Sequence, residues 1–135
     1  RMDPGLVQIV EEGRRIGAVQ FAKASFARAT FTEAVRKFFS QYDLLLTPTL
    51  AVPPFAVGLE QPPNRPAGSR LAWVAFTYPF NLTGQPAATL PCGFTRDGLP
   101  IGLQIVGRRL ADATVLRAAA AYEAAAPWVE RRPPL

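Results

Sequence analysis

The chain has 135 residues, with 15 lysines and arginines against 10 aspartates and glutamates, no histidine and a single cysteine. The absence of histidine excludes a Ser-His-Asp triad, a Cys-His dyad and a metal site with an imidazole ligand, and one cysteine excludes an internal disulfide or a zinc site built on several thiolates. With 49% hydrophobic and 19% charged residues, the composition is typical of a single globular domain.

The first part of the chain, residues 4–41, is predicted to be helical. Asp3 and Pro4 suit the N-cap and the first turn of a helix, and Gly13 and Gly17 predict a break between a short helix and a long one. Apolar residues at spacings of three and four follow, and we expect a helix that either is buried over a wide arc or bends. They form two stripes: Val19, Ala22 and Phe26, then Phe31, Val35 and Phe38.

The next segment begins with a short apolar run at residues 44–46. This run, closed by Pro48, is typical of a strand that is covered on both faces in a parallel or mixed sheet. Residues 48–68 contain six prolines, which predict a long, extended connection without regular structure.

A short helix is predicted over residues 69–78, ending before Pro79. Ser69 suits its N-cap. Leu71, Val74 and Tyr78 would then share one helical face, since they are spaced by three and four residues.

The sequence of the last part of the chain predicts a hairpin followed by a helix. Residues 87–92 and 103–106 read as strands, joined through an Asp97-Gly98 turn. Asp112 is expected to cap a final helix, which Pro127 ends. The predicted buried stripe of that helix is Val115, Ala119 and Tyr122. The whole order of elements predicts an α/β fold with a mixed β-sheet flanked by helices, forming part of a larger sheet.

Three blocks of sequence, in order, carry a family resemblance. They are YDLLLTPT at residues 42–49, TYPFNLTGQPAATLPCG at 77–93 and DGLPIGLQIVG at 97–107. Together they resemble the C-terminal portion of an amidase-signature-family enzyme, over nearly the whole chain. The resemblance implies the C-terminal segment of one large α/β domain that hydrolyses a carboxylic amide to the acid and ammonia, without a cofactor.

The resemblance also implies a Ser–cis-Ser–Lys triad, which in this family lies in the N-terminal half. The serines here are Ser25, Ser40 and Ser69, and the lysines are Lys23 and Lys37. Lys23 and Ser25 are two positions apart on the predicted helix, so their side chains face different ways. We therefore expect no catalytic residues in residues 1–135, the catalytic N-terminal half being absent, and no amidase activity from the chain alone.

By position, the resemblance assigns Leu71, Val74 and Tyr78 to the acyl side of the substrate pocket, with core packing as the alternative. In the related amidotransferase A subunits the position of Val74 tends to be an aspartate that holds the substrate's ammonium group. Burying an ammonium beside a valine is unfavourable, because nothing replaces its hydration. Val74 thus favours an amidase that acts on a neutral or aromatic acyl group.

A structural motif is predicted at Asn81, Gly84 and Pro86. Asn81 is expected to bond the local backbone in a turn, Gly84 to allow a positive φ or a close approach, and Pro86 to start a strand. Cys92 is expected to be a small buried hydrophobe, because no nearby base would activate its thiol.

Two alternative functions stay open: the A subunit of a glutamine-dependent tRNA amidotransferase, and a non-catalytic α/β binding or scaffolding module. Basic residues occur singly or in pairs and are not interleaved with aromatic ones, so we expect a small-molecule amide substrate and no nucleic acid. No apolar run spans a membrane and no leader is visible, which predicts no membrane association and a cytoplasmic protein. An incomplete sheet would leave an open edge and an uncovered apolar face, and the apolar runs at residues 44–46 and 19–39 are the segments concerned. We therefore expect homo-oligomers or element swapping.

Overall fold

The computed structural model describes residues 2–59, 61–63 and 71–131. The helices are α1 (Pro4–Arg14), α2 (Ala18–Phe38), α3 (Tyr78–Thr83) and α4 (Asp112–Ala125), and the strands are β1 (Leu44–Pro48), β2 (Ala87–Phe94) and β3 (Pro100–Gly107). A short 3-10 helix covers Ala72–Val74. The α/β class predicted from the sequence is confirmed.

The break between the first two helices is confirmed. The Asp3 side chain accepts a hydrogen bond from the Leu6 backbone N–H at 3.0 Å, so it caps α1 as predicted. Gly17 is the N-cap of α2, with extended backbone angles. In the part of the chain that the structure describes, neither these helices nor the later ones have the length and apolar character needed to cross a bilayer.

The three strands form one sheet in the order β1-β3-β2. Both pairs are antiparallel, with Leu45 opposite Val106 and Ala87 opposite the same Val106. The predicted Asp-Gly turn joins β2 to β3, and Gly98 has a φ of 79° there. A tight turn permits only antiparallel pairing. The mixed sheet of the prediction is therefore antiparallel over these strands.

The core lies on both faces of the central strand β3. On one face Val106 packs with Phe39 and Phe80, and on the other Ile105 packs with Leu90 and Val115. Successive side chains of a strand point to opposite faces, so one short run supplies both clusters. The stripe predicted for α4 is confirmed, since Val115 is buried and Ala119 and Tyr122 pack against its cluster.

The predicted wide burial of α2 is wrong for this chain. Val19 is 71% exposed and Phe26 is 73% exposed, and no residue of α2 is buried. The helix contacts the core only near its C-terminal end, through Val35 and Phe38. A helical stripe becomes buried only against a surface that covers it, and none of the described segments covers the first turns of α2.

The helix predicted over residues 69–78 is also wrong. The 3-10 helix Ala72–Val74 ends first, and α3 then begins at Tyr78 with Pro79 in its first turn. Proline is tolerated there because the first N–H groups of a helix have no intrahelical acceptor. The suggested cap Ser69 lies outside the described residues.

Three smaller predictions need correction. Leu46 of β1 is 58% exposed, so this edge strand is not covered on both faces. Cys92 is exposed rather than buried, since its strand β2 is the other edge of the sheet. Ala111, not Asp112, is the N-cap of α4, and Asp112 occupies the first turn, where a carboxylate favours the positive end of the helix dipole.

Candidate functional site

The segment predicted to line the acyl pocket is divided between two elements. Leu71 is 54% exposed just before the 3-10 helix, Val74 is half-buried at its end, and Tyr78 is 44% exposed at the start of α3. The three side chains therefore do not share a face of a single helix. Their place in an acyl pocket stays a prediction.

Gln104 connects this segment to the sheet. Its side chain is 4% exposed on β3, and its amide nitrogen donates to the Thr47 hydroxyl and to the Phe76 carbonyl, both at 2.9 Å. Leaving a buried amide without hydrogen-bond partners costs about 1–3 kcal/mol of folding free energy. Because breaking either contact would carry such a cost, the two hydrogen bonds hold the Phe76 backbone at a set distance from β1 and β3. Gln104 is a positioning residue for the candidate pocket.

Gln104 is absent from the residues that the sequence patterns singled out. The available signal was a polar residue inside the apolar run of β3, between Leu103 and Ile105. A polar side chain in such a run must find partners when it is buried. The partners themselves are 57 and 28 residues away along the chain, and no local pattern indicates them.

Asn81 borders a cavity of about 390 Å³ between α3 and the sheet. The sequence predicts a turn here, but Asn81 lies within α3, where its backbone N–H donates to the Thr77 carbonyl at 3.4 Å. Asn81 is helical because Pro79 occupies the first turn of α3, which continues to Thr83. The residues lining the cavity are Thr49, Thr77, Phe80, Asn81, Gln85, Ala87, Ala88, Thr89 and Gln104. The candidate site is this cavity, with Gln104 at its wall, and Leu71, Val74 and Tyr78 are not among the residues that line it.

Gly84 and Pro86 shape the chain between α3 and β2. Gly84 ends α3 with a φ of 78°, the left-handed conformation that glycine adopts without a Cβ penalty, and its N–H donates to the Phe80 carbonyl at 2.7 Å. The Pro86 carbonyl accepts a hydrogen bond from the Gly107 N–H at 3.0 Å, one residue before β2 begins. Gly84 has the positive φ that the sequence predicts, whereas Pro86 precedes β2 and does not start it.

The described serines are not arranged as nucleophiles. Ser25 donates to the Phe21 carbonyl at 2.9 Å and Ser40 donates to the Lys37 carbonyl at 2.7 Å, so both hydroxyls serve the helix backbone. Activation of a serine requires a base within hydrogen-bond reach of its oxygen. Within residues 2–59, 61–63 and 71–131, no serine hydroxyl bonds a lysine and no group of three metal-ligating side chains comes together.

Comparison with known families gives a match to the family described as Amidase, over residues 6–116. Among curated proteins, the chain is 39% identical over 136 aligned positions to an acylamidase of Rhodococcus erythropolis, covering 98% of this chain and 28% of that protein. It is 44% identical over 115 positions to the A subunit of the glutamyl-tRNA(Gln) amidotransferase of Synechococcus sp. (strain JA-2-3B'a(2-13)), covering 85% of this chain and 22% of the relative.

Solved structures give the same grouping. A bacterial aryl acylamidase of the amidase signature enzymes superposes with a TM-score of 0.79 at 32% identity, over 98% of this chain and 29% of the other. A 6-aminohexanoate cyclic dimer hydrolase superposes with a TM-score of 0.77, also at 32% identity, over 93% of this chain and 28% of the other. The chain thus spans between a fifth and a third of the length of these relatives.

Proposed function

This chain belongs to the amidase signature family, and on that premise we propose that it contributes to an enzyme that hydrolyses a carboxylic amide to the acid and ammonia. The observation that carries the proposal is the similarity to an acylamidase over 98% of the chain. Because the chain spans only 28% of that relative, the activity is proposed for the whole native gene product.

The proposed chemistry divides between two parts of the enzyme. A serine oxygen, deprotonated through a second serine by a lysine, adds to the amide carbonyl carbon; the same relay returns that proton to the leaving nitrogen, so that the C–N bond breaks and ammonia departs. Water then hydrolyses the acyl-enzyme, which releases the acid and restores the serine. We place those groups outside residues 1–135. The described residues supply the sheet, its helices and the wall of the acyl pocket, where Gln104 holds the Phe76 backbone against β1 and β3.

The proposed substrate class is an amide with a neutral or aromatic acyl group. Val74 gives the segment an apolar side chain at the position where the amidotransferase subunits tend to have an ammonium-binding aspartate. Trp73, the residue before Val74, makes an edge-to-face contact with Phe55, with ring centroids 5.4 Å apart, and so adds aromatic surface to this segment. The second candidate is the amidotransferase A subunit, which the 44% identity to that protein favours.

The Val74→Asp variant of the native gene product is expected to lose about tenfold or more in kcat/KM toward a neutral aromatic amide, about 1.4 kcal/mol of transition-state stabilisation. An ionised carboxylate in the acyl pocket would need hydration that an apolar substrate removes. The matched control is Val57→Asp, because Val57 is fully exposed. Ammonia release and acid formation are measured for both variants.

The outcomes of this assay separate the candidate functions. Equal losses in both variants would contradict the pocket assignment of Val74. Glutamine-dependent amidation of a charged tRNA would favour the amidotransferase, and absence of both reactions would favour a non-catalytic module. Turnover of amides by the chain alone would contradict the proposed location of the serine and lysine groups.

We also propose that the chain on its own self-associates. Phe21 and Phe26 of α2 are 68% and 73% exposed, and β1 and β2 are open edges of the sheet. Apolar patches and free edges of this kind favour pairing with a second copy. Light scattering at micromolar concentration should give a mass above that of one chain, and Phe26→Ser should lower it; a single-chain mass for the unmodified protein would contradict the proposal.

A further inference from the structure

A second cavity, of about 740 Å³, lies between α2, the end of α3 and the loop from β3 to α4. Four arginines line it: Arg28, Arg36, Arg108 and Arg109. Its volume falls within the range of about 300–1,000 Å³ that is usual for small-molecule sites. Of its lining residues, only Gln85 is shared with the cavity beside Asn81.

Two of the guanidinium groups are held in place by backbone carbonyls. The Arg28 Nε donates to the Leu82 carbonyl at 2.7 Å, and the Arg108 Nε donates to the Phe39 carbonyl at 3.2 Å. An arginine has five N–H donors, so a bond from Nε leaves the two terminal nitrogens available. Side chains that are already oriented lose less conformational freedom when they bind a ligand.

The positive charge at this cavity is only partly balanced. Glu33 accepts two hydrogen bonds from Arg36, at 2.7 and 2.6 Å, and this contact lowers the pKa of Glu33 and raises the pKa of Arg36. Asp43, which is 93% exposed, lies 4.0 Å from Arg108. Among the described residues, no carboxylate lies within 4.0 Å of Arg28 or Arg109. The cavity therefore keeps two uncompensated guanidinium groups.

Arg109 lies close to the turn after α3. Its Nε lies 3.7 Å from the position a Cβ would take at Gly84, which is ordinary van der Waals distance, so the guanidinium lies against this turn. Within the part of the chain that the structure describes, Arg109 makes no hydrogen bond or ion pair. The hydroxyls of Thr32 and Ser40, which also line the cavity, donate to helix carbonyls. The arginines therefore have donors to offer a ligand, as does the amide nitrogen of Gln85, which also lines the cavity.

We propose that this cavity binds a small polyanion, a compound with a phosphate or several carboxylate groups, through Arg28 and Arg109. Guanidinium groups bind both oxyanions through paired N–H donors, and such charge-assisted bonds are about twice as strong as neutral ones. The site takes a ligand separate from the amide substrate. It thus goes beyond the proposed function and does not depend on it.

The test is calorimetric titration of the native gene product with pyrophosphate and, separately, with citrate, at low salt. We expect binding of at least one probe, weakened about tenfold or more by Arg109→Gln, which equals about 1.4 kcal/mol. Binding of pyrophosphate alone identifies a phosphate site, and binding of citrate alone identifies a carboxylate site. Each outcome supports the proposed oxyanion chemistry.

The control variant is Arg96→Gln, which removes the same charge in the hairpin turn, away from the cavity. The affinity of this variant for the probe should stay within about twofold of that of the unmodified protein, since a distant charge that is screened by salt contributes little. Arg28→Gln is a second variant, but it also removes the hydrogen bond from Arg28 to Leu82 and could unfold the protein. Arg109→Gln then still tests the proposal, because the Arg109 side chain makes no hydrogen bond or ion pair with the described residues. No binding of either probe at millimolar concentration, or equal losses in Arg96→Gln and Arg109→Gln, would overturn the proposal.

Discussion

The Val106→Asp variant of the chain is expected to be unfolded at room temperature. Val106 has no exposed surface, and it packs against Phe39 and Phe80 near the C-terminal end of β3. An aspartate there would place a carboxylate among apolar side chains without a partner, at a cost of about 4 kcal/mol or more. The free energy of unfolding of a typical domain is about 5–15 kcal/mol, so this one substitution removes most or all of that stability.

Circular dichroism and limited proteolysis measure this effect. The matched control is Ile101→Asp, which introduces the same charge in the same strand at a position that is 42% exposed. The control should keep a cooperative thermal transition and resist trypsin, whereas Val106→Asp should lose both properties. If the two variants melted within a few degrees of each other, β3 would not be the centre of the core.

The Phe39→Ala variant is expected to lose about 3–5 kcal/mol in the free energy of unfolding. Phe39 is 2% exposed, and its ring makes an edge-to-face contact with Phe38 at a centroid distance of 5.1 Å. Truncation leaves a cavity between α2 and the sheet and removes this aromatic contact. Urea unfolding, followed by circular dichroism at one protein concentration, gives the loss.

Phe26→Ala is the matched control for this truncation. Phe26 lies in α2 and is 73% exposed, so the same change should cost less than about 1 kcal/mol when all variants are measured at a dilution at which the chain is a single copy. Comparable losses in Phe26→Ala and Phe39→Ala would show that α2 is covered along its length, contrary to the arrangement described above.

Three features that depend on neighbouring residues agree with their sequence patterns, whereas the Asp112 cap, which is equally local, does not. The Asp3 cap of α1, the break before Gly17 and the Asp97-Gly98 turn each rest on contacts within a few residues. The buried stripe of α4 is predictable for the same reason, because a spacing of three and four residues places side chains on one helical face whatever lies beyond it.

The predictions that failed concern what covers a surface. The apolar residues of α2 have the helical spacing of a buried stripe, yet Val19 and Phe26 are exposed. Likewise, the local sequence predicts that a helix ends before Pro79, whereas this proline lies in the first turn of α3. A proline can follow the last turn of one helix or occupy the first turn of the next, and tertiary packing selects between the two.

The candidate site, too, combines features that local sequence predicts with features that only tertiary packing creates. The sequence by itself indicates the amidase family and a positive φ at Gly84, since both depend on residues that are adjacent in the chain, but it does not single out Gln104. Only the folded chain brought Gln104 within hydrogen-bond distance of Thr47 and Phe76, and only it gathered Arg28 and Arg109 at one cavity. Residues this far apart in sequence meet through strand pairing and helix packing, which depend on the combined burial of many side chains and leave no local signature.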